Sequence, residues 1–359
     1  MSNIYEKLRE RLDMFPQGFP KTKSGVELEI LQHLFTPEEA EIMLFLRPSP
    51  EQISIIAERM DRDETELGEV LYEMSKNGLI LRFKASEEEI YYFLAPWMVG
   101  IWEFQLKNLT DENIKLYEKY YQEGIVPSKQ DSKVAGFRVI PIEKGIQGSS
   151  EVQPYEKASE IIEANTRFAV AECICRKEAR MLGEGCDKLL ETCLTFGPAA
   201  DYYIENELGR EISKEEAREI LLKAEEDGLV HFSSNHKDNK IFMCNCCGCC
   251  CKALAHITKY NNLGVIAKSN YYVTVDDETC TACETCVERC QVNAIQVEND
   301  LAVINIDRCI GCGLCVSTCP TGSISMCYKQ PDAVSEVFSD DNELMQARAK
   351  DTNKEFPFE

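Results

Sequence analysis

The chain has 359 residues, 62 of them acidic against 39 basic, for a formal net charge of −23. So acidic a chain argues against nucleic acid and anionic membrane as the main partner and favours a redox protein with a basic docking surface. Its length suits two or three domains. Nineteen cysteines behind a start (MSNIYEKLRERLDMF) without an apolar leader core point to a reduced, cytoplasmic, metal-binding chain and not to a disulfide framework.

Thr36-Pro37-Glu38-Glu39 has the chemistry of a helix start, with Thr36 as N-cap, Pro37 in the first turn and Glu39 reaching back. A helix is predicted through AEIMLFL, ending before Pro48. A second is expected from Ser49, where Ile53, Ile56, Ala57 and Met60 recur at helical spacing. A third follows Asp63, with Leu67, Val70, Leu71 and Met74 on one face and Asn77-Gly78 at its end. The segment LILRFKASEEEIYYFLAP reads as strand, polar turn, strand. Three short helices and a hairpin give a winged-helix-like domain, expected with flanking helices over residues 1–124. A DNA reader needs Lys and Arg on its third helix. Here that helix offers Asp63, Glu64, Glu66, Glu69 and Glu73 against Lys76, and the turn carries Glu87, Glu88 and Glu89. The expected role is therefore protein contact or homo-oligomer assembly, with an iron–sulfur redox-sensing transcription regulator as the alternative. Trp97 and Trp102 read as core or dimer-packing aromatics. The most apolar run, Tyr91 to Phe104, is broken by Pro96 and is shorter than the ~20 residues of a membrane span, so no membrane insertion is expected.

Asp111 to Gly124 is predicted as a polar helix. Residues 125–154, turn-rich around FRVIPI, read as a linker. A helical, cysteine-rich domain is expected over 155–268. Its first helix, PYEKASEIIEANTRFAVAE, leads into Cys173-Ile174-Cys175-Arg176, and Cys186 and Cys193 follow. A helical hairpin from Gly197 to about Asn235, with a capping box at Ser213 and Glu216, would bring these cysteines to Cys244, Cys246, Cys247, Cys249, Cys250 and Cys251. These ten thiols could hold one or two further iron–sulfur clusters or zinc, since thiolates suit both metals. Overlapping C-x2-C pairs leave the ligand subset open, and Cys193 alone also suits a core position. Neighbouring side chains of extended backbone point to opposite faces. Consecutive cysteines therefore serve different metals, or a tight turn that Gly248 would permit. Arg176 and Lys252 flank the cysteine groups, either to tune a cluster by charge or as solvated side chains. The run is similar to the cysteine-rich domains of heterodisulfide-reductase-type proteins, but their distant CC and CxxC spacing is absent and no chemistry is carried over.

Residues 280–290 read CTACETCVERC and residues 309–320 read CIGCGLCVSTCP, each a C-x2-C-x2-C-x3-C run. A zinc ribbon would instead need two well-separated pairs. VNAIQV and TGSISM follow the two runs at equivalent places, an internal repeat. This part resembles the bacterial two-cluster [4Fe-4S] ferredoxin family, and a ferredoxin-like domain is expected over 269–330. The resemblance implies that Cys280, Cys283, Cys286 and Cys319 hold one [4Fe-4S] cluster, and that Cys309, Cys312, Cys315 and Cys290 hold the other, the fourth ligand being exchanged between halves. Gln291 stands where proline commonly follows such a run. Cys327 reads as a core thiol and residues 331–359 as an acidic, partly helical tail.

No dinucleotide or phosphate loop is present. His33, His231, His236 and His256 are too scattered for a triad and read as surface or packing residues. No constellation of acid–base groups marks a catalytic site. The fold class expected is α+β multidomain. The expected function is electron transfer as a low-potential partner or subunit of an anaerobic oxidoreductase, more carrier than stand-alone catalyst. A reductase with an open-site cluster in the middle domain is a further alternative.

Overall fold

The computed structural model describes residues 2–86, 89–129, 133–146 and 152–355. The expectations placed on Glu87, Glu88, residues 130–132, 147–151 and the end of the tail at 356–359 lie outside them. The chain divides into two compact units. One comprises Met1–Ser132, Pro198–Arg210 and Met345–Glu359, and the other Lys133–Gly197 and Glu211–Leu344.

The first unit opens on helices Ser2–Asp13 and Val26–Leu34. Leu8 and Leu12, one helical turn apart, are fully buried. The capping box at Thr36 forms in both directions: Glu39 N donates to Thr36 Oγ1 at 3.2 Å and Thr36 N to Glu39 Oε2 at 2.7 Å. After helix Pro37–Phe45 come strand Glu51–Gln52, helices Ile53–Met60 and Glu64–Lys76, and hairpin strands Ile80–Lys84 and Ile90–Leu94. The second helix starts later than Ser49. Pro50 holds Ser49 away from helical backbone, and Glu51 and Gln52 pair with Tyr92 and Tyr91 instead. Glu64, Glu66, Glu69 and Glu73 all face solvent. Trp97 and Trp102 are buried, Trp97 with its ring centroid 5.2 Å from that of Phe19 and 5.9 Å from that of Tyr120. Helix Pro198–Glu205 also belongs here, since the Tyr202 hydroxyl donates to the Ile80 carbonyl at 2.8 Å and Arg82 donates to Glu205 at 2.8 Å. The tail joins the same unit through Lys354, whose Nζ lies 2.8 Å from Asp13 Oδ1.

The second unit is richer in strands than a helical domain. Its main sheet runs, in order, Ile266–Ala267, Phe137–Ile140, Val230–Ser234, Phe242–Cys246, Glu191–Phe196 and Phe168–Glu172. FAVAE, expected as the end of a helix, is the last of these. Helix Ala158–Glu163 stops before Asn165, and Phe168 to Ala171 are all buried. A strand covered on both faces shows no alternation and cannot be told from a buried helix by periodicity. The cysteine groups are joined by strand pairing, Leu194 opposite Met243 and Thr195 opposite Phe242, and not by a self-contained helical hairpin.

Residues 133–146, expected within a linker, are an integral part of the second unit. Phe137–Ile140 pairs antiparallel with Val230–Ser234 and parallel with Ile266–Ala267, and Ile142 N donates to the Cys312 carbonyl at 2.9 Å. Arg138 on this strand is wholly buried. Its guanidinium donates to Asn235 Oδ1 (2.9 Å), Asn270 Oδ1 (3.1 Å) and the carbonyls of Ser335 (2.7 Å) and Glu336 (2.8 Å). A single side chain so ties the sheet, the entry to the cysteine motifs and the start of the tail.

Beyond the sheet lies a lobe of two similar halves. Tyr271–Val275 pairs with Ile324–Tyr328 and Ile295–Glu298 with Leu301–Ile304, with short helices Thr285–Arg289 and Leu314–Thr318 between. The halves match in backbone detail. Ala282 and Glu284 take left-handed conformations (φ 51° and 61°), as do their counterparts Gly311 and Gly313 (φ 68° and 81°). Among the described residues no helix is long and apolar enough to cross a membrane.

Candidate metal centres

In the two-halved lobe, Cys280, Cys283, Cys286 and Cys319 line one concavity. Two come from the first turn, one from the following helix and the last from the far end of the second half. This is the set that exchange of the fourth ligand implies. Hydroxyl groups surround it: Thr285 Oγ1 lies 3.4 Å from Cys283 Sγ, and Ser323 Oγ and Thr321 Oγ1 lie 3.5 and 3.6 Å from Cys319 Sγ. Burial pushes the Cys319 thiol up, but these hydroxyls outweigh it and bring it down to about 7. Cys283 is exposed and Cys280 half-buried.

The other half is drier. Burial pushes the Cys312 thiol up to about 12 and raises Cys309 and Cys315 as well. Cys309, Cys312 and Cys315 all feel the charge of Cys290, and Cys315 also that of Cys286, so the two sets adjoin. Cys286 and Cys315 share one buried cluster with Val273, Ile295, Ala302 and Ile324. Among the described residues, no three of these eight sulfurs lie within 4.8 Å of one another. Thiolates set around an inorganic core are held apart in this way, which suits an iron–sulfur lobe.

The ten upstream cysteines separate into two groups. Cys186, Cys247, Cys249 and Cys250 bring their sulfurs within 4.8 Å of one another. The other six form an open chain of interacting side chains: Cys173 with Cys175, Cys175 with Cys251, Cys251 with Cys246, Cys246 with Cys244, and Cys244 with Cys193. The run is thereby divided: Cys246 joins the chain of six and Cys247 the tetrad, Cys249 and Cys250 stay together in the tetrad, and Cys251 joins the six. Cys244 and Cys246, two apart on strand Phe242–Cys246, share a face and both join the six, whereas Cys247, Cys249 and Cys250 lie beyond the strand, on the turn around Gly248. Cys193 sits at one end of the thiol chain, and Cys327 lies away from both groups, its sulfur 3.7 Å from Thr274 Oγ1.

Gly248 does not serve a left-handed turn. It lets the cysteine loop approach the ferredoxin-like lobe, since a Cβ there would meet the Gln291 carbonyl oxygen at 2.0 Å. Its N–H donates to Gln291 Oε1 at 2.9 Å, a contact that proline at 291 would lack. The departure from the usual proline thus joins the middle thiols to the lobe. Cys246 and Cys251 share a buried cluster with Val292, Ala294, Ile310 and Leu314, and Cys244, Cys290, Cys309 and Cys312 pack against it.

Arg176 is buried among thiols and carbonyls. Its Nη1 donates to Cys247 Sγ at 3.5 Å, and its Nη2 to Thr192 Oγ1 at 2.7 Å and Asn245 O at 3.1 Å. Burial works against its charge, but Cys173, Cys247 and Cys246 outweigh this and hold it above the usual arginine range. Of the two readings for this residue, the solvated one is excluded. Lys252 is paired with buried Glu178 at 3.0 Å. His231 and His236 are buried and not at the surface, and His231 lies on strand Val230–Ser234 with Nδ1 2.6 Å from Asn245 Oδ1.

Sequence reasoning missed the hydroxyls around Cys283 and Cys319 and the role of Gln291. The Cys-x-Thr and Cys-Pro-Thr-x-Ser spacings carried the first, and the missing proline the second.

Against known proteins, no curated protein matches the chain. Residues 274–326 match the family model of the 4Fe-4S dicluster domain. That part of the chain is a ferredoxin-type iron–sulfur domain.

Proposed function

We propose that the protein is a multi-cluster electron-transfer protein, an electron-carrying partner or subunit of an anaerobic oxidoreductase. The observation that carries this reading is the packing of Cys290, Cys309 and Cys312 on the same buried cluster as Cys244, Cys246 and Cys251. Bound clusters would supply one-electron chemistry at these thiolates. Cys280, Cys283, Cys286 and Cys319 would hold one, and Cys309, Cys312, Cys315 and Cys290 the other. The chain of six thiols would hold further iron–sulfur, zinc being its alternative. The protein's own groups then divide the work. Apolar burial around Cys309, Cys312 and Cys315 keeps water from the inner set, which favours the less charged, oxidised form and a low potential. The hydroxyls at Thr285, Thr321 and Ser323 donate toward the outer set and favour the more charged, reduced form. Exposed Cys283 marks the face where an exchange partner with a basic patch docks.

The order of elements from Pro37 to Leu94 supports a winged-helix reading of the first unit. Its exposed Glu64, Glu66, Glu69 and Glu73 favour a protein surface over phosphate, so its role is docking or self-association. A cytoplasmic setting accords with so many free thiols.

The test is potentiometric EPR on protein purified without oxygen. Two reducible centres are expected from the ferredoxin-type domain, the inner one lower in potential, beside any from the six middle thiols, with Cys280→Ser removing only the outer. Unchanged spectra in that variant would refute the ligand set. A gel shift with specific DNA retention at physiological salt would refute the reading of the first unit.

A further inference from the structure

We infer that Cys186, Cys247, Cys249 and Cys250 hold one mononuclear transition ion, zinc or iron(II), in a closed tetrahedron of thiolates, and not a cluster. The argument is metrical. Four sulfurs about 2.3 Å from one ion stand roughly 3.8 Å from each other along the edges of a tetrahedron. The measured separations are 3.8 Å (Cys186 to Cys247), 3.7 Å (Cys186 to Cys250) and 3.6 Å (Cys249 to Cys250). A cubane interposes four irons and their sulfides and needs a wider set. The same molecule supplies that contrast, because no three of the eight sulfurs in the ferredoxin-type lobe approach within 4.8 Å among the described residues.

Hydrogen bonds and packing position the four. Cys186 sits on a loop fastened by Arg180, which donates to the carbonyls of Cys186 (2.8 Å) and Lys188 (2.6 Å). Cys247 and Cys250 pack against Ala224 and Leu229. Arg176, aimed at Cys247 Sγ, supplies a positive charge where four thiolates leave a dianionic complex around a divalent ion. Each thiol gives up its proton on binding, so four protons leave for one ion taken up. With four protein ligands no coordination position stays open, which makes the centre structural or electron-transferring and not a site of substrate chemistry. It would fasten the loop after helix Ile174–Met181 to the end of strand Phe242–Cys246, and so set the position of the neighbouring six thiols.

The experiment uses the full chain, purified without oxygen, with iron, zinc and acid-labile sulfide measured together. One ion per chain in excess of the sulfide-matched iron is expected. Cys249→Ser, at the exposed member of the set, should lose that single ion and leave sulfide unchanged. A loss of about four irons and four sulfides in Cys249→Ser would overturn the proposal, as would a wild-type chain with no metal beyond sulfide-matched iron. A second measurement does not depend on the variant folding. Protein produced with cadmium should show one cadmium-113 resonance in the tetrathiolate range, and its absence would equally overturn the assignment. Neither result bears on the ferredoxin-type domain or on its packing against Cys244, Cys246 and Cys251, which carries the electron-transfer reading.

Discussion

Replacing Gly248 by alanine puts a Cβ 2.0 Å from the Gln291 carbonyl oxygen, a backbone atom that no side-chain rotation can remove. The loop and the lobe must separate by more than an ångström, which costs about 1–3 kcal/mol as overpacking. The bond from Gly248 N to Gln291 Oε1 is lost as well, worth about 1 kcal/mol. For a unit of roughly 200 residues, a loss of about 2–4 kcal/mol lowers the unfolding midpoint by about 5–15 °C. Visible cluster absorbance during a thermal scan at fixed rate reports this unit. The two tryptophans, Trp97 and Trp102, lie in the other unit, so their fluorescence is an internal control expected to stay put. Gly183→Ala is the matched control. Gly183 has open space around it and φ 76°, so it carries only the left-handed backbone cost of about 1–2 kcal/mol. If Gly248→Ala melts with the wild type while Gly183→Ala melts lower, the close approach of the thiol loop to the lobe is wrong.

Arg138→Leu leaves the side-chain oxygens of Asn235 and Asn270 and two tail carbonyls without their donor, and should cost about 3 kcal/mol or more in urea unfolding followed by cluster absorbance; a change below 1 kcal/mol would contradict the hub. Burial brings the His231 pKa down to about 4, with its bond to Asn245 opposing the shift only in part. The folded chain therefore takes up fewer protons than the unfolded one between about pH 6.5 and 4. Stability is full above pH 6.5 and falls by up to about 3 kcal/mol as pH drops through that window. His231→Gln should flatten the slope, and an unchanged slope would assign it elsewhere. Ala282→Gly relieves a left-handed alanine where the second half already uses Gly311; it should slow cluster loss in mild denaturant or leave it unchanged, and faster loss would refute the strain.

What was legible in the chain follows from how local each signal is. The capping box at Thr36, the helix start after Asp63 and the ferredoxin-type domain are each signalled within a few residues, and all emerge where expected. The strands were hidden for a physical reason: Phe168 to Ala171 are buried on both faces and leave no alternation to read. Phe137–Ile140 is short and sits among turn residues, yet lies inside the main sheet. Strand geometry accounts for Cys244 and Cys246 sharing a face, but not for the grouping of the thiols beyond them or for their partners, because Cys173 and Cys186 come from the connection between strands Phe168–Glu172 and Glu191–Phe196, far away in sequence. Gln291 announced itself only as a missing proline. Its partner, Gly248, lies 43 residues away in sequence.

The central claim is that the middle thiols and the ferredoxin-type domain form one redox assembly. Total iron and acid-labile sulfide per chain, on protein purified without oxygen, test it most directly. The account predicts equal iron and sulfide above about eight each, the amount two cubanes supply, with one further ion unmatched by sulfide. Eight or fewer, with zinc on the chain of six thiols, would contradict it.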